Sequence, residues 1–184
     1  MTRPRAFTLL EMMAVVTLLG LLAGATAWSL AADARRSSRA KCVADIAHAD
    51  GMARLAAQQG GQACRLQLDL TRQLICRLIG PAENAQPAHA MAAPKGCRID
   101  RVVTASGAAG DEPDAPTIAF SSGGRSDSYA VRVVFEGGPA GQDAPDGLGQ
   151  SVWIVFAGLT GQTTLVNDEG ELNKLFATDR PDAS

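Results

Sequence analysis

Between Met12 and Ala32 no residue carries a charge, and this apolar run limits what the chain can fold into more than any other feature. About 21 helical residues at ~1.5 Å each are enough to cross a ~30 Å hydrocarbon core. A helix lying on a soluble domain keeps one polar face. This one is apolar all round, so a membrane segment is expected. Arg3 and Arg5 precede the run, and Arg35, Arg36 and Arg39 follow it. The first pair favours a cytoplasmic N-terminus and the second group opposes it, so charge alone leaves the orientation open.

Glu11 stands at the edge of the run. A charged side chain costs roughly 2.5–3.5 kcal/mol at the middle of a bilayer and less near its boundary. Either the carboxylate has a functional cationic partner, or it sits at the interface and reaches back to water. A cleaved secretory signal is a competing account of the whole segment, because Ala25-Thr26-Ala27 matches an A-x-A site and would leave a mature chain starting at Trp28. Glu11 counts against it, since it interrupts the apolar core that such a signal needs.

Ala6-Phe7-Thr8-Leu9-Leu10-Glu11, followed by Met12-Met13 and the apolar run, resembles the class III signal of type IV pilins and type II secretion pseudopilins. The resemblance implies that a prepilin peptidase cuts between Ala6 and Phe7 and methylates the new amine of Phe7. The apolar helix then stays in the mature protein. The family usually has Gly before the cut, and Ala6 departs from that. Glu11 becomes the fifth mature residue, and the family pairs it with the N-terminal amine of a neighbouring subunit. A cation beside a carboxylate in a low-dielectric bundle removes much of its desolvation cost, so the pair would set axial registry more than stability. Gly20 and Gly24 form a small-xxx-small spacing that lets membrane helices approach closely, though incidental glycines would look the same.

Beyond the membrane segment no strong breaker appears before Gly60-Gly61, so one helix of about 80 Å is expected from Phe7 to Gln59. Cys42, Ile46, Ala49, Ala53 and Ala56 recur at helical spacing and predict a narrow stripe of small side chains for a sheet to pack on. Asp50 and Arg54 are an i,i+4 pair at the margin of that stripe, worth a few tenths of a kcal/mol. The period then changes to two. Strands are expected at 64–70, 74–79, 97–104, 117–120, 129–135, 152–156 and 163–166. Loops are expected at 81–95, 105–116 and 137–150 from their Pro, Gly, Ala and Asp content. Successive strands without intervening helices imply antiparallel pairing.

The helix end Ala53-Arg54, Ala57 and Gly60, the strand ending Leu68-Asp69, and Ile118-Ala119-Phe120-Ser121-Ser122-Gly123-Gly124-Arg125-Ser126 resemble the H-type minor pseudopilins and their FimT-like pilin relatives. In that family a strand ending in Phe, here Phe120, leads into a Gly turn, here Gly123 and Gly124. A plain β-hairpin would give the same pattern. The membrane helix has no Pro, which favours pseudopilins over true pilins.

Four cysteines allow three pairings if the domain is exported. Cys64 and Cys76 flank a hairpin and could face each other across it, with Cys42 and Cys97 then tying helix to sheet. Free buried thiols are the open alternative. No C-x-x-C spacing, phosphate loop, H-E-x-x-H or G-x-S-x-G occurs. His48 falls on the helix and His89 in a loop, each without an evident metal or nucleophile partner. Asp143 and Asp146 lie in a Gly-rich loop without EF-hand spacing. The formal net charge of -2 gives no basic face for phosphates, although Arg98, Arg101, Arg125 and Arg132 could form a local patch.

The expected fold class is α+β: a long N-terminal transmembrane helix continuing into the periplasm and packed on an antiparallel β-sheet domain, in the pilin manner. The expected segments are a leader at 1–6, a transmembrane helix at 7–32, its continuation at 33–60, a β-domain at 61–178 and a tail at 179–184. No enzyme activity, cofactor or metal is assigned. The resemblance implies a single-pass protein of the bacterial inner membrane, with its N-terminus cytoplasmic and its C-terminal domain periplasmic. It implies a structural subunit of a type II secretion pseudopilus that links tip to shaft. The partners would be the major shaft subunit, tip minor subunits, the prepilin peptidase, the inner-membrane assembly platform and the lipid bilayer, with nucleic acid disfavoured. The alternatives are a minor type IV pilin or FimT-like subunit in pilus assembly, adhesion or DNA uptake, and a secreted module released after Ala27.

Overall fold

A computed structural model describes residues 9–80, 86–107, 114–135 and 151–179. The order of elements is α1 (Leu9–Gly60), β1 (Cys64–Asp69), β2 (Leu74–Ile79), β3 (Gln86–Ala92), β4 (Cys97–Thr104), β5 (Thr117–Phe120), β6 (Tyr129–Phe135), β7 (Ser151–Phe156), β8 (Thr163–Val166) and α2 (Glu169–Asp179). The chain divides into two compact units, Met1–Ser38 and Arg39–Ser184.

In the first unit, Leu9–Leu30 of α1 has a mean hydropathy of 1.9 and no part of it is buried. This stretch is long and apolar enough to cross a membrane. The Thr17 hydroxyl donates to the carbonyls of Met13 and Ala14, and the Thr26 hydroxyl to those of Leu22 and Ala23. Both polar groups are thus satisfied inside the helix, as an apolar solvent requires.

In the second unit, α1 buries Cys42, Ile46, Ala49, Ala53 and Ala57. The stripe ends on Ala57, while Ala56 is only half-buried. Ala57 follows the buried Ala53 by four residues, so the face closes with an i+4 step where the 4-3-4-3 spacing expected i+3. The helix ends at Gly60, and Gly61 takes a φ of 58°, the left-handed conformation that glycine adopts freely at a helix end.

The strands form two four-stranded antiparallel sheets, β3-β2-β1-β5 and β4-β6-β7-β8, rather than one. The chain leaves the second sheet to add β5 beside β1, then returns for β6. On the first sheet Cys64, Leu66 and Leu68 alternate inward. On the second, β6 and β7 are buried almost continuously. One face gives Tyr129, Val131, Val133, Ile154 and Phe156 to the core around α1. The other gives Ala130, Trp153 and Val155 to a separate cluster with Leu172 and Phe176 of α2. A strand covered on both faces reads as a continuous apolar run.

Gln73 joins the two sheets. It sits in the β1–β2 turn at a φ of 54°. Its amide donates to Ile99 O at 2.8 Å and accepts from Ile99 N at 2.7 Å, and its backbone carbonyl accepts from Ala93 N. Ile99 is within reach because β4 is the edge strand of its sheet.

Several expectations need correction. Gln86–Ala92 is a strand within the expected loop at 81–95. It is the edge strand of its sheet, where Pro87 can face outward without removing a needed ladder donor. Residues 169–179 form a helix rather than part of a β-domain, so the expected tail begins one residue inside α2. Cys64 and Cys76 do not pair and are thiols. In the β1–β2 register Cys64 lies opposite Ile79 and Cys76 opposite Gln67, so the two point to opposite faces. The bond that forms is Cys42–Cys97, with Cα atoms 6.7 Å apart. The expected loop at 137–150, with Asp143 and Asp146, lies outside the described residues, as do the leader at 1–6 and most of the tail.

Cys42–Cys97 closes a loop of 55 residues. Chain-entropy arguments give such a crosslink about 4 kcal/mol, and measured values commonly fall between about 2 and 4. Replacing both Cys42 and Cys97 by Ala should lower unfolding stability by roughly 2–4 kcal/mol in urea titrations. A loss under about 0.5 kcal/mol would mean that the helix–sheet packing does not depend on the bond.

Candidate functional site

Ala6 and Phe7, the expected processing residues, lie outside the described residues. Glu11 falls in the first turn of α1, where the helix dipole favours an acid. Leu10, Leu21 and Trp28 are each more than 70% exposed. A Cβ added at Gly20 or Gly24 would meet nothing within 4 Å. Among the described residues of the first unit, this apolar surface is exposed.

The second unit contains a buried polar cluster. Asp50 and Arg54 lie one turn apart on α1, beside the small residues Ala49 and Ala53, and are 2% and 8% exposed. Arg54 Nε donates to Asp50 Oδ2 at 2.7 Å, and the Tyr129 hydroxyl donates to Asp50 Oδ1 at 2.8 Å. Arg54 Nη1 donates to the carbonyls of Gly124 and Gly158 at 3.1 and 2.7 Å. Nη2 donates to Ser126 Oγ and, more weakly, to Ala157 O. The guanidinium also lies 5.2 Å from the centre of the Phe120 ring. The Tyr129 ring stacks on Phe156 at 4.7 Å.

This cluster gathers most of the second resemblance at one place. Phe120 ends β5 and packs under Arg54. The turn after it hands Gly123 O to Gln58 Nε2 and Gly124 O to Arg54. Gly124 has a φ of 74°, and a Cβ there would strike the Gln58 side chain. At Gly158 a Cβ would run into the backbone of Ser126, Asp127 and Ser128. That close approach brings the β5–β6 and β7–β8 turns together over one guanidinium.

Sequence reasoning placed Asp50–Arg54 at the margin and gave it a surface pair's worth. The pair is buried, and the difference in energy is large. A buried pair whose remaining donors and acceptors are satisfied is costly to break from one side, about 3–5 kcal/mol, because the orphaned charge stays inside. Tyr129 and Gly158 were missed. The available signal was two opposite charges directly adjoining a stripe of small buried residues.

Burial, and after it the Asp50 carboxylate, raise Tyr129 well above its ordinary range, with Arg54 opposing. Burial also raises the Cys64 thiol, while Arg77 pulls it down. A raised thiol is a poor nucleophile. Among the described residues no group of three or more His, Cys, Asp and Glu side chains could hold a metal. Of the arginines expected to form a basic patch, Arg98 and Arg132 contact Asp100, and Arg101 contacts Glu169.

A profile described as the prokaryotic N-terminal methylation motif matches residues 1–27. Two structures of the minor pseudopilin EpsH from the type II secretion system of Vibrio cholerae are similar to this chain. One has a TM-score of 0.50 at 15% identity over 72% of this chain and 95% of that one. The other has 0.47 at 15% identity over 71% and 96%. The type IV minor pilin FimU of Pseudomonas aeruginosa gives 0.49 at 10% identity over 71% and 90%. No curated protein matches the sequence significantly. A methylation motif on an apolar helix long enough to cross a membrane, followed by antiparallel sheets, gives this chain a type IV pilin-like fold. Its α+β fold is similar to that of a minor pseudopilin of the H type.

Arg54→Ala should cost about 3–5 kcal/mol and Tyr129→Phe about 1 kcal/mol by urea unfolding. Because the folded Tyr129 stays protonated above about 10, where the unfolded phenol ionises, stability falls as pH rises beyond that value. Tyr129→Phe should flatten that alkaline loss by up to about 1.4 kcal/mol per pH unit relative to the parent. Identical slopes would show that the phenol is not held protonated.

Proposed function

We propose that this protein is a minor pseudopilin of a type II secretion system, a structural subunit rather than an enzyme. The observation that carries the reading is the combination of a methylation motif on an uncovered apolar helix with a sheet domain folded like EpsH. EpsH comes from a type II secretion system, which favours secretion over pili.

The physical sequence is as follows. A prepilin peptidase cuts between Ala6 and Phe7 and methylates Phe7. The mature subunit waits in the inner membrane, N-terminus cytoplasmic, with residues 61–178 in the periplasm. Lipid solvates its apolar helix, whose backbone bonds are internal. At the assembly platform the helix passes from lipid to a bundle of other pilin-like helices. Hydrophobicity does not drive that step, because lipid and helix are equally apolar. Small residues and charge matching must select the neighbour, which gives roles to Gly20, Gly24 and Glu11. The sheet domain then presents the surface that places this subunit between tip and shaft.

N-terminal sequencing of the mature protein should begin at methylated Phe7, and a start at Trp28 would overturn the reading in favour of a released module. Glu11→Ala should leave the protein in the membrane fraction while lowering its co-purification with other pseudopilins roughly tenfold, as expected for the loss of ~1.4 kcal/mol of charge pairing. Unchanged co-purification would remove the registry role.

A further inference from the structure

The structure assigns a soft-metal site to the second unit: we propose that His48, Met52, His89 and Met91 bind a single Cu(I) ion between α1 and the edge strand β3. All four line one cavity of about 140 Å³. His48 and Met52 are one helical turn apart and share a face of α1. His89 and Met91 are two residues apart and share a face of β3. The register puts His89 opposite Arg77 and Met91 opposite Ile75, with Leu66 and Ile75 buried as apolar lining of the same cavity. Two different periodicities, one helical and one extended, each deliver one imidazole and one thioether to the same space.

The donor set chooses the metal. Thioether and imidazole ligands favour Cu(I), whereas zinc takes thiolate, imidazole and carboxylate, and calcium takes oxygen. The cavity lining supplies no carboxylate and no thiol. Arg77 also lines it, with a buried Nε that has no hydrogen-bond partner. Coulomb repulsion from that guanidinium scales with the charge of the ion, so a divalent cation is penalised about twice as much as a monovalent one. Histidine and methionine at 48, 52, 89 and 91 are exposed or half-buried, which leaves their donor atoms an entry path from solvent. Methionine has three rotatable bonds, so both thioethers can close on the ion without moving the backbone. His89 showed no partner as a loop residue, and it is the strand geometry of β3 that brings it to His48.

The test uses the full-length, tag-free protein in detergent, with Cys64→Ala and Cys76→Ala to remove competing thiols. Cu(I) is supplied as its bicinchoninate complex, with ascorbate as the reductant so that Cys42–Cys97 stays closed. The protein should withdraw one equivalent of Cu(I). Met52→Leu and Met91→Leu keep side-chain volume and should not disturb folding. Each should weaken Cu(I) affinity by about tenfold or more, since even outer-shell changes lower metal affinity roughly 10- to 100-fold. No withdrawal of Cu(I), or an affinity unchanged in the double leucine variant, overturns the proposal. So does Zn(II) binding of equal or greater strength that ignores the two methionines, because the cavity would then be a histidine site of another kind.

Discussion

The fold of the second unit turns on one guanidinium. Arg54 reaches from α1 into the space where the β5–β6 and β7–β8 turns meet, and its donors go to Asp50, Ser126 and three backbone carbonyls. The two turns bond each other directly, Ser126 N to Gly158 O and Gly158 N to Ser128 Oγ, and carbonyl acceptors are still left over. A buried arginine supplies the missing donors, and Asp50 supplies the missing charge. Asp50 is completed in turn by Tyr129. The network is therefore closed on every side, which is the condition under which a low dielectric strengthens polar contacts rather than penalising them. It also explains the glycines. Gly124 and Gly158 bring backbone close enough for an arginine to be shared, and a side chain at either would push the turns apart.

Around that point the packing is set by size. A helix that presents Ala49, Ala53 and Ala57 can lie close to strands, so large side chains from the sheets fill the space instead, among them Phe120, Tyr129 and Phe156. Aromatics are scarce in this chain at 4%, and several of them are placed here. The disulfide holds α1 to β4 at Cys42, three turns away from Arg54, while Gln73 holds the first sheet to β4 at Ile99. Helix and both sheets are thus fixed by one covalent and two polar attachments, each at a different place on the core.

What the sequence made legible follows the strength of its periodic signals. The membrane run, the small-residue stripe and the alternating strand at 64–69 each depend on a pattern that local chemistry dictates, and each appears in the structure. The misses have physical causes. Gln86–Ala92 pairs only at an edge, so Pro87 and three alanines could serve as a strand without showing β-branched residues. The second helix carried a readable start, Asp168 followed three residues later by Glu171, with Leu172, Leu175 and Phe176 at helical spacing. Continuous burial in β6 and β7 was a second sign that something must cover the outer face. The Asp50–Arg54 pair was visible, but its worth was not, because burial is a tertiary property and i,i+4 spacing looks the same on a wet surface as inside.

The first unit poses the opposite problem, since its described residues bury none of their apolar surface among themselves. Leu9–Leu30 is wholly exposed, and its Thr17 and Thr26 hydroxyls already donate to carbonyls of the same helix. Lipid can solvate such a surface but cannot give it a unique neighbour. Under the proposed function, specificity must come from what is not a large aliphatic side chain, and that leaves few groups. Gly20 and Gly24 permit close approach without fixing axial height, because a smooth surface slides. Glu11 fixes height without bringing helices close. The two features are complementary, and a helix carrying only one of them would associate without order or be ordered without contact.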